Sequence, residues 1–581
     1  MANRNATMKR LFRLAAAWVS LVVLASGCAG ASPAAPAAPS GGGNTPAPAT
    51  SVRRLTAAVQ GDPKTLSQSV NASGAGSVPG VDAIEHMLNV GLVIFDATGK
   101  LQPRLAEAVP STDNGLWTVA ADGSMQLTWK IREGATWHDG TPVTSEDVLF
   151  TAKVDGDRDT PALRESSYPA SFATSARIEA PDSRTVVVRW SRPYIQADEM
   201  FRVLLPKHLL EGPYTDDKAN MLNLPYWTDG FVGTGPFKLT EFVRGSQLVT
   251  RAFDGYVMGR PKIDEVTVKF IPDSNTLLAD ILAGQIDVTL GRTLSLDQGL
   301  QVRNRWSDGK VDIVDQTWVA LFPQFIDPNP AILADVQFRR ALMNAVDRQA
   351  LVDQLMAGAS AVADGYISPK DPAYSAIAPG IVRYPYDPAR AAQIIQSLGY
   401  TKGADGFFRS AAGDKLSVEI RAGSSLDIQT KSMLSTADYW QRTGIGVDQV
   451  TVPPQQASDR KYRATRPGFE IVRQPNDVNA VTRVRSSDSP LPENDYTGAN
   501  RSRYQSAELE GLIDRYQATI PLPDRLSVLQ QIVHHMTDQV VWMGLFYDVE
   551  PTMISNRVQN VTARKESSSQ AWNAQDWTVT G

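Results

Sequence analysis

Residues 29–51 limit where a fold can begin in this chain. The segment consists almost wholly of Ala, Pro, Ser, Gly and Thr and carries no charge. Such a composition cannot bury enough apolar surface to offset the entropy lost on ordering. We therefore expect a flexible tether here. The folded part then begins near residue 52 and runs to 581, which is long enough for two or three lobes with separate cores.

The first 27 residues have the pattern of an export signal. Four basic residues precede the apolar run 14–24, which only Ser20 interrupts. That run has about half of the ~20 residues that a membrane-spanning helix needs. A positive region followed by a short apolar region predicts a cleaved signal peptide over residues 1–27.

The sequence at 24–28, Leu-Ala-Ser-Gly-Cys, resembles the lipobox of bacterial lipoproteins, with Ala25 where leucine is usual. Cys28 is the only cysteine, so an intramolecular disulfide is excluded even though export implies an oxidising compartment. We predict that Cys28 is lipidated and that residues 28–52 form a disordered linker. The protein would then be extracytoplasmic and held to the cell membrane by lipid alone, in the periplasm or on the outer surface.

The charge of the chain argues against nucleic acid as a partner. The formal net charge of −5 becomes −9 once the four basic residues of the signal are removed. A polyanion is bound through basic surfaces, and this composition provides no such excess.

Strand-like and helix-like patterns alternate beyond the tether, which is typical of an α/β fold. Residues 127–132 and 266–270 alternate apolar and polar side chains. Asp273 as a helix cap, Gly284 as a stop and an apolar strand over 286–290 predict one helix-to-strand unit. Helical spacing recurs behind Asp335 and again in the C-terminal part; the predicted core-facing stripes are Phe338, Ala341, Leu342, Ala345 and Val346, then Leu526, Leu529, Ile532, Val533 and Met536.

Several spaced blocks resemble the extracytoplasmic solute-binding proteins of peptide and nickel ABC importers, known as family 5, and they occur in that family's order. The blocks are 101–107 (LQPRLAE), 137–148 (WHDGTPVTSEDV), 233–239 (GTGPFKL), 256–264, 283–287 (AGQID), 338–342 with 346–348, and 509–533. Most also have plain structural interpretations, such as a turn at Asp139-Gly140 and a capping box beginning at Thr144.

The resemblance implies two α/β lobes joined by a hinge, the class II type of periplasmic binding protein, with a third subdomain inserted in the first lobe. The ligand is enclosed between the lobes. We expect the first lobe to comprise 53–95, 207–315 and 535–581, the inserted subdomain 96–206, and the second lobe 316–534.

The resemblance also suggests ligand-binding residues. The loop Gly76, Ser77 and Val78 resembles one whose backbone pairs with an extended ligand. Peptide-binding relatives carry a tryptophan and then an aspartate in a second-lobe segment that corresponds here to 469–477. The tryptophan is absent, and the aspartate is absent unless Asp477 takes its place.

Other candidates come from residue chemistry. Arg473 could hold a carboxylate or phosphate, with Gln474 and Asn476 beside it. A cationic run of Arg460, Lys461, Arg463 and Arg466 precedes that segment, and we interpret it as a solvated face. The aromatic candidates for the cleft, which also fit a core, are Trp318, Trp542, Phe546 and Tyr547.

Enzymatic function finds no support in the motifs. The chain has no G-x-S-x-G, no H-E-x-x-H, no P-loop and no dinucleotide-binding glycine motif, and its five histidines lack zinc-ligand spacing. We expect no catalytic residues, no metal and no cofactor.

The expected function is therefore capture of a small polar ligand, a di- or oligopeptide, for delivery to a membrane permease driven by ATPase subunits. The protein is expected to be a monomer. Three alternatives remain open: a binder of oligosaccharide, nickel chelate or another small solute on the same scaffold, a surface receptor without transport, and a degenerate hydrolase.

Overall fold

A ten-stranded mixed sheet runs through the molecule. The computed structural model describes residues 52–72, 78–157, 160, 176–424, 426–457, 459–563 and 568–580. In sheet order the ten strands are Gly446–Val452, Ser417–Gly423, Phe469–Pro475, Gly309–Pro323, Met543–Ser555, Val288–Thr289, Arg54–Val59, Glu265–Phe270, Gln247–Ala252 and Phe237–Val243.

Two antiparallel strands in the middle of this sheet, 309–323 and 543–555, belong to both halves of the molecule, and we call them the long strands. Their pairing runs from Gly309 with Ser555 to Leu321 with Met543, with register shifts after Asp315 and after Val319. Fifteen residues at about 3.3 Å each span roughly 50 Å. We call the part built on the five strands from 288–289 to 237–243 the first lobe, and the part built on 417–423, 446–452 and 469–475 the second lobe.

A separate four-stranded antiparallel sheet forms a smaller subdomain. Its strands in sheet order are Trp117–Val119, Met125–Lys130, Thr185–Trp190 and Ala176–Glu179. The remaining strands form three pairs: Val93–Phe95 with Leu101–Pro103, Thr401–Lys402 with Phe408–Arg409, and Val558–Gln559 with Thr578–Val579.

The helices cover the faces of these sheets. The α-helices are Gln68–Ala72, Val81–Leu88, Ser145–Asp155, Lys207–Asp216, Ser274–Leu282, Leu296–Arg305, Val336–Asn344, Arg348–Leu355, Tyr374–Ile377, Pro388–Ser397, Asp427–Thr443, Pro454–Ala457, Arg460–Ala464, Ala507–Ala518 and Leu522–Asp538. Short 3₁₀ turns are Ala197–Glu199, Lys218–Asn223, Pro225–Trp227, Ala331–Ala334, Ala378–Gly380, Val478–Val484, Ser486–Asp488, Pro492–Asn494 and Gln570–Asp576. No helix in the described parts of the chain is long and apolar enough to cross a bilayer.

The predicted helix-to-strand unit is confirmed. Asp273 accepts a hydrogen bond from the backbone N–H of Thr276 at 2.8 Å, and the helix 274–282 follows. Gly284 has a φ of 70°, where a side chain would be strained, and the strand 288–289 comes next. The caps at Asp335 and Thr144 are present too. The predicted stripe from Phe338 to Val346 is buried, as are four of the five C-terminal positions, with Leu526 partly buried.

The apolar cores follow this division. The first lobe has a cluster that includes Leu55, Ile84, Phe237 and Trp577, and the smaller subdomain has one that includes Leu127, Trp137 and Phe201. The second lobe has a cluster on each face of its sheet, around Phe338 and Trp440 on one side and around Trp318 and Tyr547 on the other. The predicted boundary at 315/316 falls in the middle of the long strand 309–323, which contributes to both lobes.

Candidate functional site

The two lobes meet where the long strands pass from one to the other. Strand 543–555 is buried along nearly its whole length, and Asp548 and Glu550 lie in its middle with only 2% and 6% of their surface exposed. Ionised carboxylates buried to this degree need cationic or hydrogen-bonding partners. Those partners come from both lobes.

Arg473 and Arg292 supply the positive charges. In the second lobe, Arg473 Nε donates to Asp548 Oδ2 at 2.6 Å, and Arg473 Nη2 forms a short ion pair with Glu550. From the first lobe, Arg292 Nη1 donates to the same Asp548 oxygen at 3.0 Å. The structure thus brings Arg473 to the lobe junction, but two carboxylates of the chain itself already compensate its charge.

The strand that carries Arg473 has a neighbouring strand along its whole length on only one side, in the part of the chain that the structure describes. Strand 417–423 pairs with it only as far as Ala422 opposite Ile471, whereas strand 309–323 pairs with it on the other side up to Pro475. Among the described residues, no strand pairs with 472–475 on the first of these sides. We call 472–475 the edge segment. An extended peptide can add to a strand edge of this kind as a further strand.

Side chains around the edge segment make local hydrogen bonds. Gln474 lies opposite Trp318 in the sheet, and its side-chain oxygen accepts from Arg483 Nη1 at 3.1 Å. Asn476 follows the strand and is half-buried. The Asp477 carboxylate accepts from the backbone N–H of Asn479 at 2.8 Å, and burial raises its pKa against the opposing charge of Arg483.

The loop proposed to contact the ligand is described only from Val78 onward; Gly76, Ser77 and Cys28 lie outside the described residues. Val78 is 8% exposed and belongs to the first-lobe core. Gly80 has a φ of 94°, and a Cβ added there would come 2.5 Å from the carbonyl oxygen of Leu290. The loop therefore ends against 290–291, directly before Arg292 in the chain.

Three of the four aromatic candidates are buried in the second-lobe core, and the fourth, Trp542, is partly buried against it. Trp318, Phe546 and Tyr547 are 2%, 0% and 1% exposed. Tyr547 donates its hydroxyl to the carbonyls of Gly365 and Ile367 at 2.8 and 2.7 Å. Contact of these side chains with a ligand stays a prediction, since packing already explains their presence.

Sequence reasoning missed two contributions to this region. The first is the group of ion pairs that Arg292 forms with Asp548 and Glu550. The pattern that could have indicated it is the presence of two acidic residues inside the otherwise apolar run 543–555. The second is the segment 194–199, which comes from the smaller subdomain but packs Ile195 into the second-lobe core. Burial and the neighbouring Glu199 charge raise the pKa of Asp198 there to about 7. No local pattern identifies that segment, because the core residues it joins lie more than 100 residues further along the chain.

Comparison with known proteins agrees with this architecture. The family model described as "Bacterial extracellular solute-binding proteins, family 5 Middle" matches residues 100–496. The chain belongs to this family. A relative of this family 5 protein, a putative ABC transporter peptide-binding protein of Brucella ovis, is 28% identical over 282 residues, which are 48% of this chain and 50% of the relative. The chain spans about half the length of the curated relatives it matches.

Solved structures of binding proteins share the two-lobe fold of this family 5 protein. The oligopeptide-binding protein of Thermus thermophilus, in complex with a pentapeptide, superimposes with a TM-score of 0.71 at 20% identity, covering 90% of this chain and 96% of the other. NikZ of Campylobacter jejuni, in complex with Ni(L-His), gives the same TM-score and identity and covers 90% and 99%. At this identity the likeness establishes the fold alone.

Proposed function

We propose that this family 5 protein is the solute-binding component of an ABC importer and that it captures a di- or oligopeptide between its two lobes. The observation that carries the proposal is the edge segment 472–475, which lies at the lobe junction and has no neighbouring strand on one side among the described residues. Pairing through the main chain recognises the peptide bond and tolerates many side chains. The relatives named as peptide-binding support this ligand class.

Closure of the lobes is the proposed mechanism of capture. The long strands connect the lobes, and the segment 194–199 already touches the second lobe. The closed form is proposed to dock on a membrane permease whose ATPase subunits drive import, while the binding protein itself performs no chemistry. Cys28 is proposed to carry the lipid that keeps the protein at the outer face of the membrane, and the protein is proposed to act as a monomer.

A nickel chelate is the second candidate ligand. Its support is the equal likeness to the Ni(L-His) complex, together with the absence from the segment 469–477 of the tryptophan that the resemblance to peptide binders leads us to expect there. The lobe boundaries proposed for either ligand are those expected from the sequence: 53–95, 207–315 and 535–581 for the first lobe, 96–206 for the inserted subdomain, and 316–534 for the second lobe.

The test is a parallel thermal-denaturation screen of the mature protein against peptides of two to ten residues, oligosaccharides and nickel-histidine. A ligand whose free concentration is a hundred times its dissociation constant stabilises the folded protein against unfolding by about 2.7 kcal/mol. We expect peptides alone to raise the denaturation midpoint. A rise with nickel-histidine only would replace the peptide proposal by the second candidate.

A further inference from the structure

Four arginines surround a small pocket in the second lobe, near the start of the strand 469–475 whose other end is the edge segment. Its lining includes Arg460, Arg463, Arg466, Arg501 and a single carboxylate, Glu470. The cavity volume is about 40 Å³. A water molecule needs roughly 10–15 Å³ on this measure, so the pocket has room for a small ion but none for a peptide or a sugar.

Arg466 is fixed in place by the backbone. It is 2% exposed, and its Nη2 donates at 2.8 Å to the carbonyls of both Phe322 and Arg501. Its Nε is buried and has no hydrogen-bond partner among the described residues. Burial lowers the pKa of Arg466 to about 10, although Glu470 opposes that shift.

Arg463 has fewer side-chain hydrogen bonds within the described residues than the other three arginines. Its Nε is also buried without a partner in the described parts of the chain. Burial and the neighbouring charge of Arg501 lower its pKa. Arg460, more than half exposed, donates to the Thr497 hydroxyl at 3.0 Å and lies 3.7 Å from the exposed Asp495.

Glu470 does not balance these charges. Arg501 Nη1 donates to both of its oxygens, at 3.0 and 3.1 Å, and Arg466 lies 3.8 Å away. Burial alone would raise the pKa of Glu470, but the charges of Arg501 and Arg466 outweigh burial and hold it below its usual value. The pocket therefore keeps four cationic groups against one anionic group.

The groups next to the pocket are engaged elsewhere. Arg421 pairs with Glu419 and lies over the Tyr462 ring. Asp459 caps the helix 460–464 by accepting from the Tyr462 N–H at 2.9 Å. Arg503, a further cation nearby, donates to the Ala464 carbonyl at 3.3 Å.

We propose that this pocket binds a small tetrahedral oxyanion, phosphate or sulfate, at a site separate from the ligand cleft. Guanidinium groups form charge-assisted hydrogen bonds to such oxygens, often in pairs, and two Nε–H donors here have no other use. An anion would also offset the repulsion among these four cations, of which Arg463, Arg466 and Arg501 are buried or half-buried. The inference goes beyond solute capture and holds whatever ligand occupies the cleft.

The experiment is calorimetric titration of the ligand-free protein with inorganic phosphate, then with sulfate, and with sodium chloride at matched ionic strength. We expect saturable binding of phosphate, competition by sulfate and no saturable response to chloride. Arg463→Gln is expected to weaken phosphate binding about tenfold or more, because it removes one charged donor. An equal response to chloride at matched ionic strength would overturn the proposal.

Matched variants separate the pocket from general charge effects. Arg442→Gln removes the same charge from an exposed helical pair with Asp438 and is expected to bind phosphate as the wild type does. In phosphate-free buffer, Arg463→Gln is expected to melt at or above the wild-type midpoint, since it relieves repulsion; in phosphate it should melt below it. Equal phosphate affinity in the Arg463 and Arg442 variants would contradict the site.

Changes at the proposed ligand cleft test whether phosphate binds there instead of in the arginine-lined pocket. Arg473→Gln is expected to keep the phosphate affinity of the wild type, and a saturating peptide should leave that affinity unchanged. Loss of phosphate binding in Arg473→Gln but not in Arg463→Gln would place the anion in the cleft and contradict the proposal. Failure of all peptides to bind would refute the proposed function without affecting the phosphate result.

Discussion

Arg292 of the first lobe donates to Asp548 at 3.0 Å, through the same carboxylate oxygen that accepts from Arg473 of the second lobe. Asp548 is 2% exposed and lies on a strand that both lobes share. One buried carboxylate thus connects three segments that are far apart in sequence.

Asp548→Asn is expected to lower the free energy of unfolding by about 3 kcal/mol, because it removes a buried carboxylate that compensates two half-buried arginines. Chemical denaturation measures this difference. Asp438→Asn, which breaks an exposed pair with Arg442, is the matched control and should cost less than about 1 kcal/mol. Equal losses in the two variants would contradict the structural role of Asp548.

Arg473 is expected to contribute to stability more than to recognition of a ligand carboxylate, because Asp548 and Glu550 already compensate its charge. For a peptide that binds, the ratio of dissociation constants between the C-terminal acid and the C-terminal amide should be the same in wild type and Arg473→Gln. A ratio that collapses only in the variant would assign the ligand carboxylate to Arg473.

Gly80→Ala is expected to destabilise the protein and weaken ligand binding. The residue has a φ of 94°, and the new Cβ would come 2.5 Å from a backbone oxygen. Gly134, with a φ of 77° and no atom within 4 Å of an added Cβ, provides the control for backbone strain alone. We expect Gly134→Ala to cost about 1 kcal/mol and Gly80→Ala clearly more. Similar losses would show that the contact with Leu290 is unimportant.

His138 makes stability depend on pH. Burial lowers its folded-state pKa to about 4 from a usual 6.5, and its two ring nitrogens bond the backbone of Gly233 and Gly235. The unfolded chain therefore binds an extra proton between these two pH values. This contribution, about 3 kcal/mol, is fully present above pH 6.5 and is lost as the pH falls towards 4.

Denaturation at a series of pH values tests the role of His138. In His138→Gln the slope of unfolding free energy against pH should fall by up to about 1.4 kcal/mol per unit across that window. An unchanged slope in His138→Gln would show that this histidine is not kept neutral by burial.

Local features of the fold were predictable from the sequence. The cap at Asp273, the stop at Gly284 and the stripe behind Asp335 depend on residues within one helix length. The order of the ten strands depends on pairings such as Ala57 with Val288, more than 200 residues apart, which periodicity does not reveal. The expectation of a two-lobe fold came instead from the resemblance to a family.

The candidate site was predictable only in part. Arg473 was identified from its charge, but its partners on strand 543–555 were not, because buried ion pairs depend on distant packing. The sequence alone favours a solvated face for Arg460, Arg463 and Arg466. The structure instead buries Arg466 and gathers these three residues with Arg501 around one pocket, a correction that follows from the fold of 490–501 over the helix 460–464.

The central claim is that an extended ligand pairs with the main chain of the edge segment 472–475. The most direct measurement is the dissociation constant of a binding peptide beside that of an analogue methylated on alternate backbone nitrogens, with identical side chains. We expect methylation on the face towards the strand to weaken binding at least about tenfold, because it removes main-chain donors. Two such analogues exist, one methylated at the odd-numbered nitrogens and one at the even-numbered nitrogens. Dissociation constants equal to that of the unmethylated peptide for both analogues would contradict the claim.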